Sequence, residues 1–155
     1  MILSALIWLL QDFVQVFLMG FCIVPDVFLL FLVMTALSPE TGKEKQIVII
    51  WTAFIGGLLW DFRWTNLPGL SAAINGALVA ISCYVWQKIP VQGRSVLFFS
   101  FIIFSVVFLS GLVHFMFWTI PNQVAVRQFL VQQFIGFPVV AFASLFFWKV
   151  NYNNA

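Results

Sequence analysis

The chain has 155 residues, of which 63% are hydrophobic and 8% are charged, and its formal net charge is +2. Soluble domains carry about 25% charged residues, so this composition excludes a soluble fold covered by polar groups. The small net charge provides no basic patch for nucleic acid. The two cysteines, Cys22 and Cys83, lie far apart in apolar runs and indicate neither a disulfide framework nor a metal site. Composition therefore predicts an integral membrane protein.

Apolar segments separated by short polar or Gly/Pro-containing stretches predict an all-α fold, a six-transmembrane-helix bundle in a single domain over residues 1–155. Pro138, which follows Gly136, is expected to kink the last helix. Residues 120–126 are expected to form a loop. The predicted helices cover about 1–19, 25–37, 46–62, 69–87, 95–118 and 128–149.

The first segment has no basic start, which argues against a cleaved signal peptide. Asp12 lies near the middle of this span, where a charge costs roughly 2.5–3.5 kcal/mol, so it should face the bundle or be protonated. Gln11 and Gln15 are close enough along the helix to share its hydrogen bonds. Three roles stay open for Asp12: a polar packing contact, a proton- or ion-handling acid, and a contact with another protein.

The second and third helices carry two local signals. Asp26 precedes an apolar helix, and its carboxylate is expected to accept the free N–H groups of the first turn. The third helix, counted from Gln46 to Trp60, spans about 22 Å, which is less than the hydrocarbon core of about 30 Å. It should therefore be shielded by neighbours, lie in a thinned bilayer, or continue through Trp64.

The fourth helix carries small residues at every fourth position, Ala72, Gly76 and Ala80. Such a stripe lets two helix backbones approach closely. Ala53 and Gly57 form a similar pair on the third helix. The stripe is therefore expected either to pack helix four against helix three or to dock a helix of a partner protein.

Little in the sequence indicates catalysis. His114 lies one turn after Ser110, and no second histidine exists to complete a metal site, so a hydrogen-bonded bundle residue is the simpler interpretation. No cofactor motif is present. A membrane-embedded enzyme would have to use Asp12, Asp61 and His114 as acid and base. A small-molecule binder would have to use Gln11, Asp12, Gln15, Asn75 and His114.

An even number of helices places both termini on one side of the membrane. The basic residues Lys43, Lys45, Lys88, Arg94 and Lys149 fall on that side, whereas Arg63 and Arg127 fall on the other. The positive-inside rule then predicts cytoplasmic N- and C-termini. Asp26, Asp61, Arg63 and Arg127 would gather at the outer face, where Arg127 could pair with Asp26 or Asp61.

Three sequence features occur in a characteristic order. Gln11 is followed by Pro25-Asp26 at the start of a Leu-rich helix, residues 57–61, from Gly57 to Asp61, have the pattern Gly-x-x-x-Asp at the end of the third helix, and Gly69 follows Asp61 by eight residues. Together these features resemble the MreD family of bacterial rod-shape-determining membrane proteins, whose third helix ends in a similar way. The chain departs from the family at 67–69, where Leu-Pro-Gly replaces Pro-Leu-Gly, and at 63–64, where Arg and Trp replace small or aliphatic residues.

This resemblance implies a non-enzymatic scaffold of the bacterial inner membrane, without a cofactor. Such proteins bind MreC, and together they couple MreB filaments to the cell-wall synthases, a SEDS glycosyltransferase and a penicillin-binding transpeptidase. The family fold is similar to that of the substrate-binding S components of vitamin transporters, so a small-molecule binding subunit is the alternative. Fold similarity alone does not carry function. Asp61 is expected to be the most sensitive position, for structural reasons.

Overall fold

The computed structural model describes residues 2–18, 24, 26–64, 67–90, 93–117 and 122–152, with the side chains of 122–125, 128 and 150–152 left out. Pro25 and Cys22 lie outside the described residues. The fold is all-helical. Its helices are α1 (Ile2–Phe17), α2 (Val27–Ala36), α3 (Lys43–Trp64), α4 (Leu70–Lys88), α5 (Val96–Met116) and α6 (Asn122–Tyr152).

Four of these helices are long and apolar enough to cross a membrane: α3, α4, α5 and the Phe129–Lys149 part of α6. The other two are shorter. The 16 residues of α1 and the 10 residues of α2 extend over about 24 Å and 15 Å. Both are shorter than the apolar core of a bilayer, about 30 Å. The helical class with membrane-spanning helices thus agrees with the sequence, with four helices long enough to span and two, α1 and α2, that are shorter over their described residues.

Helix α2 lies at the centre of the bundle. It contacts each of the five other helices, and its residues Leu29, Val33 and Ala36 have no exposed surface. Its sequence is apolar on every side apart from Thr35, as expected for a helix that is surrounded by protein. The hydrophobic core is built around α2 from residues of α3, α4, α5 and α6.

Helix α1 has an inverted distribution of polarity. Its buried residues are all polar: Ser4, Gln11, Asp12 and Gln15. Its exposed face carries large apolar side chains, including Leu10 and Phe13. In water this arrangement would expose apolar surface and bury polar groups, and both are unfavourable. In lipid the same arrangement is stable, which supports a membrane environment for the helix.

Two helices are longer than predicted. Helix α3 begins at Lys43 and has 22 residues, about 33 Å, so of the three expectations the continuation through Trp64 is correct. Helix α6 begins at Asn122, so the loop predicted over 120–126 is wrong for its described part, and α6 stays helical across Pro138. The prediction equated each helix with its apolar segment. A helix can continue through polar residues beyond that segment because its backbone hydrogen bonds remain satisfied internally.

Candidate functional site

The polar side chains that the sequence singled out meet at one end of the bundle, called here the polar end. The C-terminal parts of α1, α3 and α5 reach this end, and α2 and α4 begin there. Side-chain contacts establish the arrangement, since Asp12 of α1 contacts Trp64 of α3 and Ser71 of α4 contacts His114 of α5.

Asp61 joins α3 to the start of α4. It lies in the last turns of α3 and is 1% exposed. One carboxylate oxygen accepts the backbone N–H of Ser71 at 2.9 Å and that of Ala72 at 3.3 Å, and the other oxygen accepts the Ser71 N–H at 3.1 Å. Asp61 therefore supplies the cap that α4 lacks locally, because the residue at its N-cap position, Gly69, has no side chain. Gly69 has φ of 93°, in the left-handed region where glycine is favoured.

His114 is held by hydrogen bonds at both ring nitrogens. Its Nδ1 lies 2.7 Å from the Ser110 carbonyl oxygen, and its Nε2 lies 2.8 Å from the Ser71 hydroxyl. Because a carbonyl can only accept, Nδ1 carries a proton, and in the neutral ring Nε2 accepts the Ser71 hydroxyl. His114 is thus a hydrogen-bonded bundle residue, as expected. Its partner Ser71 lies 43 positions away along the chain and is not predicted from the sequence.

Gln11 connects α1 to the beginning of α2. Its side-chain oxygen accepts the Phe28 N–H at 2.7 Å, and its amide nitrogen donates to Asp26 at 3.3 Å. Asp26 itself accepts the Leu29 N–H at 2.9 Å, which confirms the predicted cap of α2. The Asn75 and His114 side chains lie near the Asp26 carboxyl. Gln11 and Asp26 belong to the first sequence feature that resembles the MreD family, and they contact each other directly. Pro25, the third residue of that feature, lies outside the described residues.

Asp12 is 6% exposed, so it faces the bundle as predicted, although its partners differ from the expected ones. Gln11 bonds to α2, and Gln15 accepts the Val24 N–H at 2.9 Å. The Asp12 carboxylate is instead paired with Arg63 at 3.1 Å and accepts the Trp64 indole N–H at 2.8 Å. The pairing suggested from the sequence was a different one, between Arg127 and Asp26 or Asp61. The Arg127 side chain is exposed. Arg63 and Trp64, which depart from the family pattern, are therefore the residues that hold Asp12.

The small residues of α4 contribute to the packing of α3 against α4, so the simpler expectation for this stripe is supported. Ala72 is fully buried, and the backbone at Ser71–Ala72 lies directly over Gly57 of α3. Gly76 faces the Phe54 side chain, also on α3. Ala80 is only partly buried. The pair α3–α4 forms the most extensive helix contact in the described chain.

The described residues of the polar end contain a serine–histidine pair but no cluster of metal ligands. Within the described residues, no group of three His, Cys, Asp or Glu side chains could hold a metal ion. Ser71 and His114 form a hydrogen-bonded pair, but Ser71 is 1% exposed, and a backbone carbonyl occupies the place of the acid in a catalytic triad. A substrate would have no access to this hydroxyl. The polar groups chiefly connect helices.

Family models, curated proteins and solved structures gave no match to this chain. The class of protein is therefore defined by its fold and its polar end. It is an all-helical protein with four helices that are candidates to span a membrane, and its buried polar residues connect its helices.

Proposed function

We infer that this chain is a non-enzymatic scaffold of the MreD type in the bacterial cytoplasmic membrane, where it takes part in the elongasome and in rod cell shape. One observation carries this proposal. Most of the polar groups that a catalytic or ligand site would need are engaged in contacts within the bundle, whereas large apolar side chains line the outer faces of α1, α3 and α6. A molecule built in this way acts through its helix surfaces.

The positions of the motif residues support the proposal. Gln11 and Asp26 join α1 to α2, and Asp61 and Gly57 join α3 to α4. Gly69 provides the left-handed turn that precedes α4. Residues that define a family of scaffolds are expected to fix how its helices are arranged, and each of these residues lies at such a junction.

The proposed direct partner is MreC, through its single membrane span, and MreB and the wall synthases are reached directly or through MreC. Helix association in lipid depends on close packing together with a few hydrogen bonds, each worth about 0.6–2 kcal/mol. The exposed faces of α1 and α6, which include Leu10 and Phe142, offer large apolar surfaces for such packing. In the proposed topology both termini are cytoplasmic, and the polar end faces the periplasm.

Reconstitution with purified MreC from the same bacterium tests the proposal. The full chain in nanodiscs should bind MreC, and replacing exposed apolar residues on the contacting face by Ala should weaken binding about tenfold, or 1.4 kcal/mol. The same number of substitutions on the opposite face is the matched control. Absence of binding at micromolar concentrations, together with normal rod shape in cells depleted of the protein, would refute the scaffold role.

A second candidate function rests on one specific observation. The Asn75 side-chain oxygen is buried, has no hydrogen-bond partner among the described residues, and belongs to a residue close to Asp26. A small ligand with a hydrogen-bond donor would satisfy it, as in a transporter's substrate-binding subunit. Mass spectrometry of small molecules released from the purified protein would reveal such a ligand, and Asn75→Leu should abolish its retention.

A further inference from the structure

The charges of the chain are divided unevenly along its length. All five acidic residues lie at or before Asp61, and beyond that position the charged residues are five bases. Helices α4, α5 and α6 with their connections therefore carry positive charge only. Three of these bases, Lys88, Arg94 and Lys149, lie at the end of the bundle opposite the polar end, where α4 and α6 finish and α5 begins.

Two of these bases are held in position by aromatic rings. The Arg94 guanidinium lies 5.2 Å from the Trp86 ring centroid and donates to the Trp86 carbonyl at 3.4 Å, which satisfies a free carbonyl at the end of α4. The Lys88 ammonium lies 5.4 Å from the Tyr84 ring. The Arg94 Nε is buried without a partner among the described residues. The ion pair between Arg63 and Asp12 lies elsewhere, at the polar end.

An apolar groove of about 190 Å³ opens on the surface of the bundle, and none of its lining residues is charged. It lies between α5 and α6, and its walls include Leu97 and Phe104 of α5 and Ala141 and Leu145 of α6. Arg94 precedes the first turn of α5 by two residues, and Lys149 continues the row of Ala141 and Leu145 by one further turn of α6. Contact between Phe99 and Trp148 places these two helix ends at the same level. Arg94 and Lys149 therefore lie close along the chain to the groove-lining residues Val96 and Leu145, at the end of the groove away from the polar end.

We propose that this groove binds a membrane phospholipid with an anionic headgroup. One acyl chain lies along Leu97 and Ala141, and the phosphate contacts Arg94 and Lys149, with Lys88 nearby. Charge complementarity favours this occupant, because the bases next to the groove have no acid on α4, α5 or α6 to compete with a phosphate. The acids at this end of the bundle, Glu40 and Glu44, lie on the α2–α3 connection and on α3, which do not line the groove. Guanidinium and ammonium groups both form strong, charge-assisted hydrogen bonds to phosphate. The site is independent of the proposed scaffold function.

Native mass spectrometry of the full chain tests this site. The protein is exchanged from detergent into phosphatidylglycerol or phosphatidylcholine with identical acyl chains, and the fraction that retains lipid is measured. The wild type should retain phosphatidylglycerol at least about fivefold better, the effect of roughly one cation near a lipid surface. The double variant Arg94→Gln/Lys149→Gln should lose this preference. Arg127→Gln, which removes an exposed base at the other end of α6, should keep it.

Two further measurements distinguish lipid binding in the groove from binding of the phosphate alone. Ala141→Phe should fill the groove and reduce lipid retention while leaving all bases in place. Glycerol phosphate without acyl chains should not compete at millimolar concentrations. If Arg94→Gln impairs folding through loss of its contact with Trp86, Lys149→Gln alone should still lower the preference. Equal retention of the two lipids by the wild type, an equal loss in Arg127→Gln, or displacement by glycerol phosphate would overturn the proposal.

Discussion

Gly57→Ala is the most informative single substitution, because the structure shows which atoms the added methyl group would contact. A Cβ atom at position 57 would lie 2.6 Å from the Ser71 carbonyl oxygen and 2.7 Å from the Cα and N of Ala72. All three are backbone atoms, so no side chain can move aside. To reach ordinary contact, α3 and α4 would have to separate by about 0.8 Å, and overpacking of this kind costs roughly 1–3 kcal/mol.

The same separation would lengthen the hydrogen bonds from Asp61 to the first turn of α4, and a weakened bond to a charged group costs up to roughly 1.5–3 kcal/mol. The better helix propensity of alanine offsets about 1 kcal/mol. We therefore expect Gly57→Ala to lower the free energy of unfolding by about 2–4 kcal/mol. Gly76→Ala is the matched control on the other side of this interface. Its Cβ would meet Phe54 at 3.6 Å, an ordinary contact.

Both variants can be measured by unfolding in mixed micelles of mild detergent and SDS, followed by tryptophan fluorescence. Gly76→Ala should be as stable as the wild type, or more stable by up to about 1 kcal/mol. A Gly57→Ala protein with wild-type stability, or a larger loss in Gly76→Ala, would refute the close approach of α3 and α4 at this glycine.

Three further predictions concern the polar contacts and use the same unfolding assay. Asp61→Ala should cost about 2 kcal/mol through loss of the α4 cap, and Asp61→Asn should cost less because it keeps an acceptor oxygen; equal losses would contradict the capping role. Asp12→Asn and Arg63→Gln should be non-additive, with a coupling of about 1 kcal/mol because the Arg63 side chain is 54% exposed, and additive effects would argue against their pairing. Trp8→Phe should cost about 1 kcal/mol by removing the indole bond to the Gly56 carbonyl, whereas Trp51→Phe, on the exposed face of α3, should be neutral.

Local rules of sequence were sufficient for several of these features. The cap of α2 follows from an acid placed before an apolar helix, and Asp26 confirms it. The inward orientation of Asp12 follows from the cost of exposing a charge to lipid. The packing of the small stripe against α3 follows from residue size, because Ala72 and Gly57 permit close approach. In each case the deciding residues lie on one helix or on consecutive helices.

Choices of partner between distant helices could not be predicted in this way. Gln11 and Gln15 are adjacent to Asp12 in sequence, yet the rotation of α1 directs them toward α2 and residue 24 and directs Asp12 toward Arg63 and Trp64. The partner of His114 likewise depends on how α5 lies against α4. Such pairings are set by the arrangement of the whole bundle. The departure from the family pattern at 63–64 was the one available signal for the Asp12 contacts.

The short central helix has a consequence for how the protein is made. At about 15 Å, α2 is too short to span the apolar core of a membrane by itself, whereas α3, α4 and α5 are each long and apolar enough to do so. A newly synthesised α2 would leave its end groups in hydrocarbon until neighbouring helices surround it. We therefore expect stable insertion of α2 to depend on helices that the ribosome produces later, so that biogenesis of this protein is cooperative rather than a sequence of independent insertions.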